Sequence, residues 1–555
     1  MTKMNANLNS THTEWMEKIM AASKANAKAE ENETEDKKED RNTQPEKTLS
    51  TSKKTIILGL IFFLLIVAVR VYFLFFVADP QNAGVGWYGD TYHHWQIAYL
   101  TKEIGFSHGF LRLWYLKGME YFWGLAHPLT LVILMILTHS SDIVLTRILS
   151  LITGSLSIFF LFLIADRYWG KQVAIAAAIF GAFNPVSIFN DASGMVEPFG
   201  MLFLFMGLYF WPRRPWLTGI LFAIASMARA EFWLLAVGVL ICLFIFTRET
   251  MDKKVITAIS YIVPIIVYMK YLLNYTGNPI YPIWWNYLGN AAGKWQADIP
   301  LTAEQLAVRP IWIAMFILSL LGILLVLWKR PRSMLLHLLG LGNFLFLGFF
   351  VGMTEYMKSY VAYFWVVRIF SLPYLYLGLL IGIIFFVFIP KVIPFFGKLK
   401  VGWLFIIAIL AASQIAWQVI WSYYGKTEGY WKEEIELAKS ISSVYKGGTI
   451  LIHEGDPVMT YAMVNYGGIE GKNIEGQMYD PFQYKPFMDY GDTNLFKNWS
   501  KDRKIIVNWL KRDNIKLLVV NAQRQRYMDL IQREPEIFNF VNDTGFGLKI
   551  YEVKL

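Results

Sequence analysis

Apolar runs near the length of a bilayer-crossing helix recur along this chain. The first, TIILGLIFFLLIVAVRVYFLFFVA, fills 55–78. It follows a long polar segment and exceeds the core of a signal peptide, so it reads as a retained helix. Further spans are predicted near 143–165, 172–189, 195–211, 216–228, 231–247, 255–273, 311–328, 333–351, 367–389 and 401–422. The run 128–138 is shorter. At ~1.5 Å per residue it covers ~17 Å of a ~30 Å hydrocarbon layer. It is expected to lie at, or dip into, one face. The fold class expected is an α-helical polytopic membrane protein of about 11–13 helices.

The ends of the chain read differently. Residues 1–52 mix both charges (AKAEENETEDKKEDRNTQPEK) and lack the apolar surface to offset ordering, so a disordered cytoplasmic tail is expected. Residues 53–422 form the multi-pass module. In 423–555, strand-like runs at 449–454, 515–522 and 547–553 alternate with amphipathic stretches at 433–445 and 502–513. A small extracytoplasmic α/β domain is expected there. No fixed-period repeat is present.

Composition agrees with the pattern. The chain is 55% hydrophobic and 17% aromatic, and its mean hydropathy is +0.38. The formal charge of +10 is spread over short loops, not gathered on one basic face, which argues against a nucleic-acid partner. The single cysteine, Cys242, excludes disulfides within the chain. Basic loops at 166–171, 211–216, 247–254, 329–332 and 390–400 all fall on one side if 128–138 does not span. The positive-inside bias makes that side cytoplasmic. Loops 79–127, 272–310 and 352–366, with the C-terminal domain, then lie outside. Sequons at Asn274, Asn498 and Asn542 fall on that side too.

Five polar clusters converge on the same outer face: Asp90 with His93 and His94; His127; Asn190 with Asp191 and Glu197; Arg229 with Glu231; and Arg368. Ionisable groups at membrane depth are functional candidates. Together they supply carboxylates for base catalysis, and cations and imidazoles to hold a phosphate. Each also has a plain structural explanation. Asp90 precedes a predicted helix, 91–103, and would serve as its N-cap. On that helix Asp90 and His94 are expected to share a face, with His93 pointing elsewhere. His127 precedes Pro128 and can simply end a loop. Asp191 can be a turn residue between spans, whereas Glu197 lies inside an apolar run and needs a partner. Arg229 and Glu231 can neutralise each other or snorkel, and Arg368 can snorkel too.

The order of these elements resembles the GT-C superfamily of polytopic glycosyltransferases, which use polyprenyl- or dolichyl-phosphate-linked sugars. The elements are GDTYHHW in the first external loop, HPL at 127–129, NDASGMVEPFG, RAEFWL, RIFSLP and an external α/β domain. The branch most similar contains protein O-mannosyltransferases and lipid A aminoarabinose transferases. The resemblance implies that an acidic residue of the first external loop, here Asp90, is the catalytic carboxylate. Several family members have a second acid there, where this chain has Thr91, and many have H-P-P-L, where it has H-P-L-T. Oligosaccharyltransferases of the superfamily carry W-W-D-Y-G in their external domain. WWNYLG at 284–289 differs in residue and location and reads as an aromatic belt.

The expectation is a membrane glycosyltransferase taking a sugar from a polyprenyl- or dolichyl-phosphate donor to a glycan, lipid or protein acceptor. Asp90 would act as base. Arg229 and Arg368, with His93 or His94, would hold the phosphate. Glu197, Asp191 and Glu231 would position the sugar or these cations. Because phosphate is already a good leaving group, no cofactor is required. Asp90 with His94 could still ligate a divalent metal. The alternatives are a cell-envelope polysaccharide ligase or polymerase, an oligosaccharyltransferase-like enzyme, and a secondary transporter with broken helices and matching halves.

Overall fold

The computed structural model describes residues 52–78, 89–104, 121, 123–247, 249–284, 371–398, 401–424, 431–452, 457–476, 499–521, 525–544 and 547–555, with the single positions 317 and 320. Residues 1–51 of the polar tail expected over 1–52, the helices near 311–328 and 333–351, the external loop 352–366, Arg368, Asn498 and residues 285–289 of the aromatic belt lie outside them.

Helix α1 is Lys53–Tyr72 and continues into a π turn, Phe73–Ala78. It is followed by α2 (Gly89–Ile104), α3 (Ala126–Thr138), α4 (Val144–Trp169), α5 (Lys171–Phe183), α6 (Pro185–Ser193), α7 (Glu197–Phe210), α8 (Pro215–Ser226), α9 (Ala230–Phe246) and α10 (Met251–Thr276). Beyond residue 370 come α11 (Ser371–Ile383) and α12 (Val401–Tyr424). Among the described residues four helices are long and apolar enough to cross a membrane: Lys53–Val77, Val144–Trp169, Met251–Thr276 and Tyr374–Val392. Helices α5 and α6, bent by 59°, make a fifth if the pair is one span. The run expected at 128–138 is α3, a short apolar helix.

Proline places several helix starts. Pro185, Pro198 and Pro215 each sit in a first turn, where the missing N–H would have had no helical partner anyway. The same rule corrects one expectation. The single helix foreseen at 172–189 is broken at Asn184–Pro185, because proline cannot donate to the preceding turn. Asn184 then caps α6, its Oδ1 accepting from Val186 N at 2.9 Å and Ser187 N at 3.4 Å.

Helices α4 to α10 pack side by side around a buried core that includes Phe162, Phe205, Phe222 and Trp233. Arg167 Nη1 donates to Tyr209 O at 2.7 Å and Thr257 Oγ1 to Pro215 O at 3.1 Å, so the loops near 170, 213 and 249 lie at one end. The starts of α4, α7 and α9 lie at the other.

The C-terminal domain has the α/β character expected. Helices α13 (Trp431–Val444), α14 (Pro457–Asn465), α15 (Trp499–Arg512) and α16 (Gln525–Arg533) flank a five-stranded sheet. Its strands are β1 Thr449–Ile452, β2 Ile474–Gly476, β3 Ile515–Asn521, β4 Phe538–Asp543 and β5 Leu548–Val553, in the order β2-β1-β3-β5-β4. β1 is parallel to β2 and β3, while β5 is antiparallel to β3 and β4. Period-two alternation gives each sheet face its own core. Leu451, Leu518, Val520 and Tyr551 pack with Trp509 of α15 and Leu530 of α16. Ile450, Ile452, Leu517 and Val519 face the opposite way. Their cluster includes Leu437 of α13 and Met459 of α14, and runs on to Tyr92 and Trp95 of α2.

Candidate functional site

Asp90 lies in the first turn of α2, one residue inside the helix rather than at its cap. His93 Nε2 is 3.9 Å from Asp90 Oδ1, at i,i+3. His93, expected to point elsewhere, is thus the imidazole beside Asp90. Both i+3 and i+4 neighbours reach the same helix face, and here packing chooses between them. His94 is fully buried. It meets Trp123 edge-on at 5.4 Å and His127 edge-on at 5.4 Å. His93, only partly covered, stacks on the face of Trp123 at 5.1 Å. Trp123 therefore holds both imidazoles, one on its face and one at an edge.

His127, in the first turn of α3, is fully buried and continues the cluster. Its ring meets Phe199 of α7 edge-on at 5.6 Å. Neither of its nitrogens has a hydrogen-bond partner among the described residues.

Phe199 is two residues from Glu197, which opens the second cluster. Arg229 donates from Nη1 to Glu197 Oε1 at 2.7 Å and from Nε to both Glu231 oxygens at 2.7 and 2.8 Å. Arg229 and Glu231 do neutralise each other, and Glu197 finds the partner its burial demands. With both carboxylates ionised the trio carries one net negative charge. None of these three hydrogen bonds uses Nη2.

The two clusters are joined by backbone as well. Ala126 N donates to Met227 O at 3.0 Å. Gly124, at φ +88°, lies so close to α8's end that a Cβ there would sit 2.4 Å from Met227 O. Only glycine satisfies both the left-handed backbone and this approach. It holds the Trp123 loop against the strand-like turn that presents Arg229.

Asp191 takes a different partner. It lies within α6, not at a turn, and accepts from Arg70 Nε of α1 at 2.9 Å, both side chains being buried. Arg70 also donates to Ala182 O at 2.6 Å and Gly181 O at 2.9 Å. Those carbonyls end α5, where the break before Pro185 removes their helical donors. Arg70 thus staples both arms of the bent pair. Asn190, on the same helix, accepts at its backbone oxygen from Met195 N at 3.4 Å in the turn that follows.

That turn reaches Asp90. Thr91 donates to Ser193 O and Ser150 donates to Met195 O. Gly194, at φ +87°, leaves room for Thr91, whose Cγ2 a Cβ would meet at 2.6 Å. Arg147, fully buried near the start of α4, lies beside the same glycine.

The structure therefore brings together Asp90, His93, His94, His127, Glu197, Arg229 and Glu231, and connects Asp191 to them through the 193–195 turn. The sequence reading missed Trp123, Arg147 and Arg70. Arg70 carried a signal, a lone cation inside the first apolar run. Among the described residues no three His, Cys, Asp or Glu side chains form a metal-binding group.

No protein-family model matches the sequence, and no curated protein does. Solved structures show a similar fold. One is the oligosaccharyltransferase of Archaeoglobus fulgidus, in complex with zinc and sulfate: 13% identity and TM-score 0.50, over 87% of this chain and 71% of that one. Another is ArnT from Cupriavidus metallidurans, bound to undecaprenyl phosphate: 11% identity and TM-score 0.51, over 90% of this chain and 98% of that one. The chain therefore shares its fold with these two proteins, and because they are enzymes of different kinds the fold alone assigns neither activity.

Proposed function

We propose that this chain is a membrane glycosyltransferase that moves a sugar from a polyprenyl- or dolichyl-phosphate donor to an acceptor hydroxyl, with Asp90 as general base. One observation carries the reading. A partly exposed carboxylate and imidazole, Asp90 and His93, share one end of an apolar bundle with a cation held by two carboxylates. The undecaprenyl phosphate bound by the similarly folded ArnT supports a lipid-phosphate donor.

In this mechanism Asp90 takes the proton as the acceptor oxygen forms its bond to the sugar's anomeric carbon. The bond from that carbon to the phosphate oxygen breaks, and the lipid phosphate leaves as an anion. Arg229 meets this developing charge with its Nη2 end, oriented by Glu197 and Glu231. Because the trio is itself net negative, further positive groups must share the phosphate. Arg368 and the His93/His94 imidazoles are the candidates. The chemistry calls for no metal, since the leaving group needs no protonation.

The transporter alternative draws on the bent pair α5–α6. The buried charge at that bend is bonded within the protein, Asp191 to Arg70, which suits a fixed support better than a moving path.

The test is sugar release from a radiolabelled polyprenyl-phosphate hexose by purified protein. Wild type should consume donor by transfer or slow hydrolysis, and Asp90→Asn should lose at least ~100-fold while remaining folded. An active Asp90→Asn enzyme rules out the assignment of the base.

A further inference from the structure

We infer that the C-terminal α/β domain sets the position of Asp90 by clamping the opposite face of α2, with Tyr461 as the central positioning residue; the inference rests on the function proposed above.

Helix α2 carries two stripes. Asp90, His93 and His94 follow one i, i+3, i+4 path and face the candidate site. Tyr92, Trp95, Gln96 and Tyr99 follow the other. At 100° per residue, the two paths lie about 200° apart, on opposite sides of the helix.

The second stripe docks on α14. Tyr461 meets Trp95 edge-on at 4.8 Å and Tyr92 edge-on at 5.3 Å. Its neighbour Thr460, fully buried, accepts from Gln96 Nε2 at 3.2 Å. The Tyr461 hydroxyl also reaches Asp142 Oδ1 and Ile143 N, each at 3.4 Å, in the turn before α4. Trp95 Nε1 donates to Ser141 O at 2.6 Å in the same segment. One ring therefore ties the C-terminal domain, the catalytic helix and the entry to α4.

This arrangement fixes rotation and depth of α2 from the side away from the chemistry. Thr91 and the Trp123 cluster fix it from the other side. A rigid helix transmits any tilt at Tyr92 and Trp95 directly to Asp90, about one turn away. A displacement on the order of 1 Å in a reacting group can cost ~100-fold in rate.

The experiment compares full-length wild type, Tyr461→Phe and Tyr461→Ala in nanodiscs. Hydrolysis of polyprenyl-phosphate hexose gives kcat and KM, and hydrogen exchange of α2 amides gives a readout independent of turnover. Tyr461→Ala should lower kcat at least ~10-fold with KM nearly unchanged, and should speed exchange across α2. Tyr461→Phe keeps the ring and should restore most of kcat. Thr460→Val, which removes only the Gln96 bond, should shift both readouts the same way by less, and serves if Tyr461→Ala does not fold. Unaltered kcat or unaltered α2 exchange in folded Tyr461→Ala overturns the clamp. So does a rise in KM alone. If wild type itself shows no Asp90-dependent turnover, the proposed function fails and the positioning role falls with it. Exchange then reports only whether the domain docks.

Discussion

Replacing Arg70 with Met should be among the most damaging single changes in the bundle, and more so than Asp191→Asn. Arg70 Nε pairs with Asp191 Oδ2, while its two terminal nitrogens cap Ala182 O and Gly181 O. Met preserves most of the side-chain volume but removes every donor. It leaves a carboxylate buried without its cation, a loss of about 3–5 kcal/mol. The two uncapped carbonyls add to that, about 1–3 kcal/mol for each buried group left without a partner. Asp191→Asn instead leaves Arg70 both carbonyls and an amide oxygen in place of the carboxylate. Its cost is that of a buried guanidinium without its counter-charge, about 3–5 kcal/mol, with no uncapped carbonyls added. The double variant should be less unstable than the sum of the two single ones, because an amide in place of the Asp191 carboxylate no longer leaves a lone charge buried. Unfolding of the purified protein against SDS mole fraction in mixed micelles measures all three. Equal losses from both single variants, or a larger loss from Asp191→Asn, would refute the staple. Strict additivity in the double variant would show that the pair does not interact.

Two further outcomes test the site and its frame. Arg229→Lys should lose at least ~10-fold in donor turnover despite keeping the charge, because one ammonium cannot meet Glu197 and Glu231 with the geometry of the guanidinium fork; kcat/KM against the same donor decides it. The Tyr461 phenol is held above its ordinary pKa of 10.0 by burial and by the nearby Asp142 carboxylate. The folded state then keeps that proton where the unfolded state loses it. Stability should be unaffected below about pH 10 and should fall as pH climbs through it, less steeply in Tyr461→Phe; midpoints of SDS unfolding from about pH 8 to 11 give the comparison.

How far the sequence could be read depended on whether a feature was written along the chain or across it. Long apolar runs are properties of contiguous segments, so α1, α4 and α10 were legible. So were the apolar runs that form β1, β3 and β5. The break in α5–α6 was written locally too, as Asn184–Pro185, but unbroken hydrophobicity on both sides masked it. What could not be read were partners far apart in sequence. Arg70 carried only the local signal of a cation inside an apolar run, and Asp191 that of an acid near a span's end. Nothing local says that α1 lies against the bend.

The same limit explains why His93 is the imidazole beside Asp90. Helical spacing allows either to face Asp90. The decision is made by Trp123 and His127, which draw His94 into the interior. Gly124 in turn decides where Trp123 sits, by letting its loop press on Met227 O beside Arg229. A residue with no side chain thereby governs the spacing between the carboxylate–imidazole pair and the guanidinium. A site assembled in this way has its chemical groups in recognisable motifs, yet its geometry resides in residues that carry no chemistry. For that reason the motifs name candidate groups, and only the packing around Trp123, Gly124 and Tyr461 shows how the described ones are held.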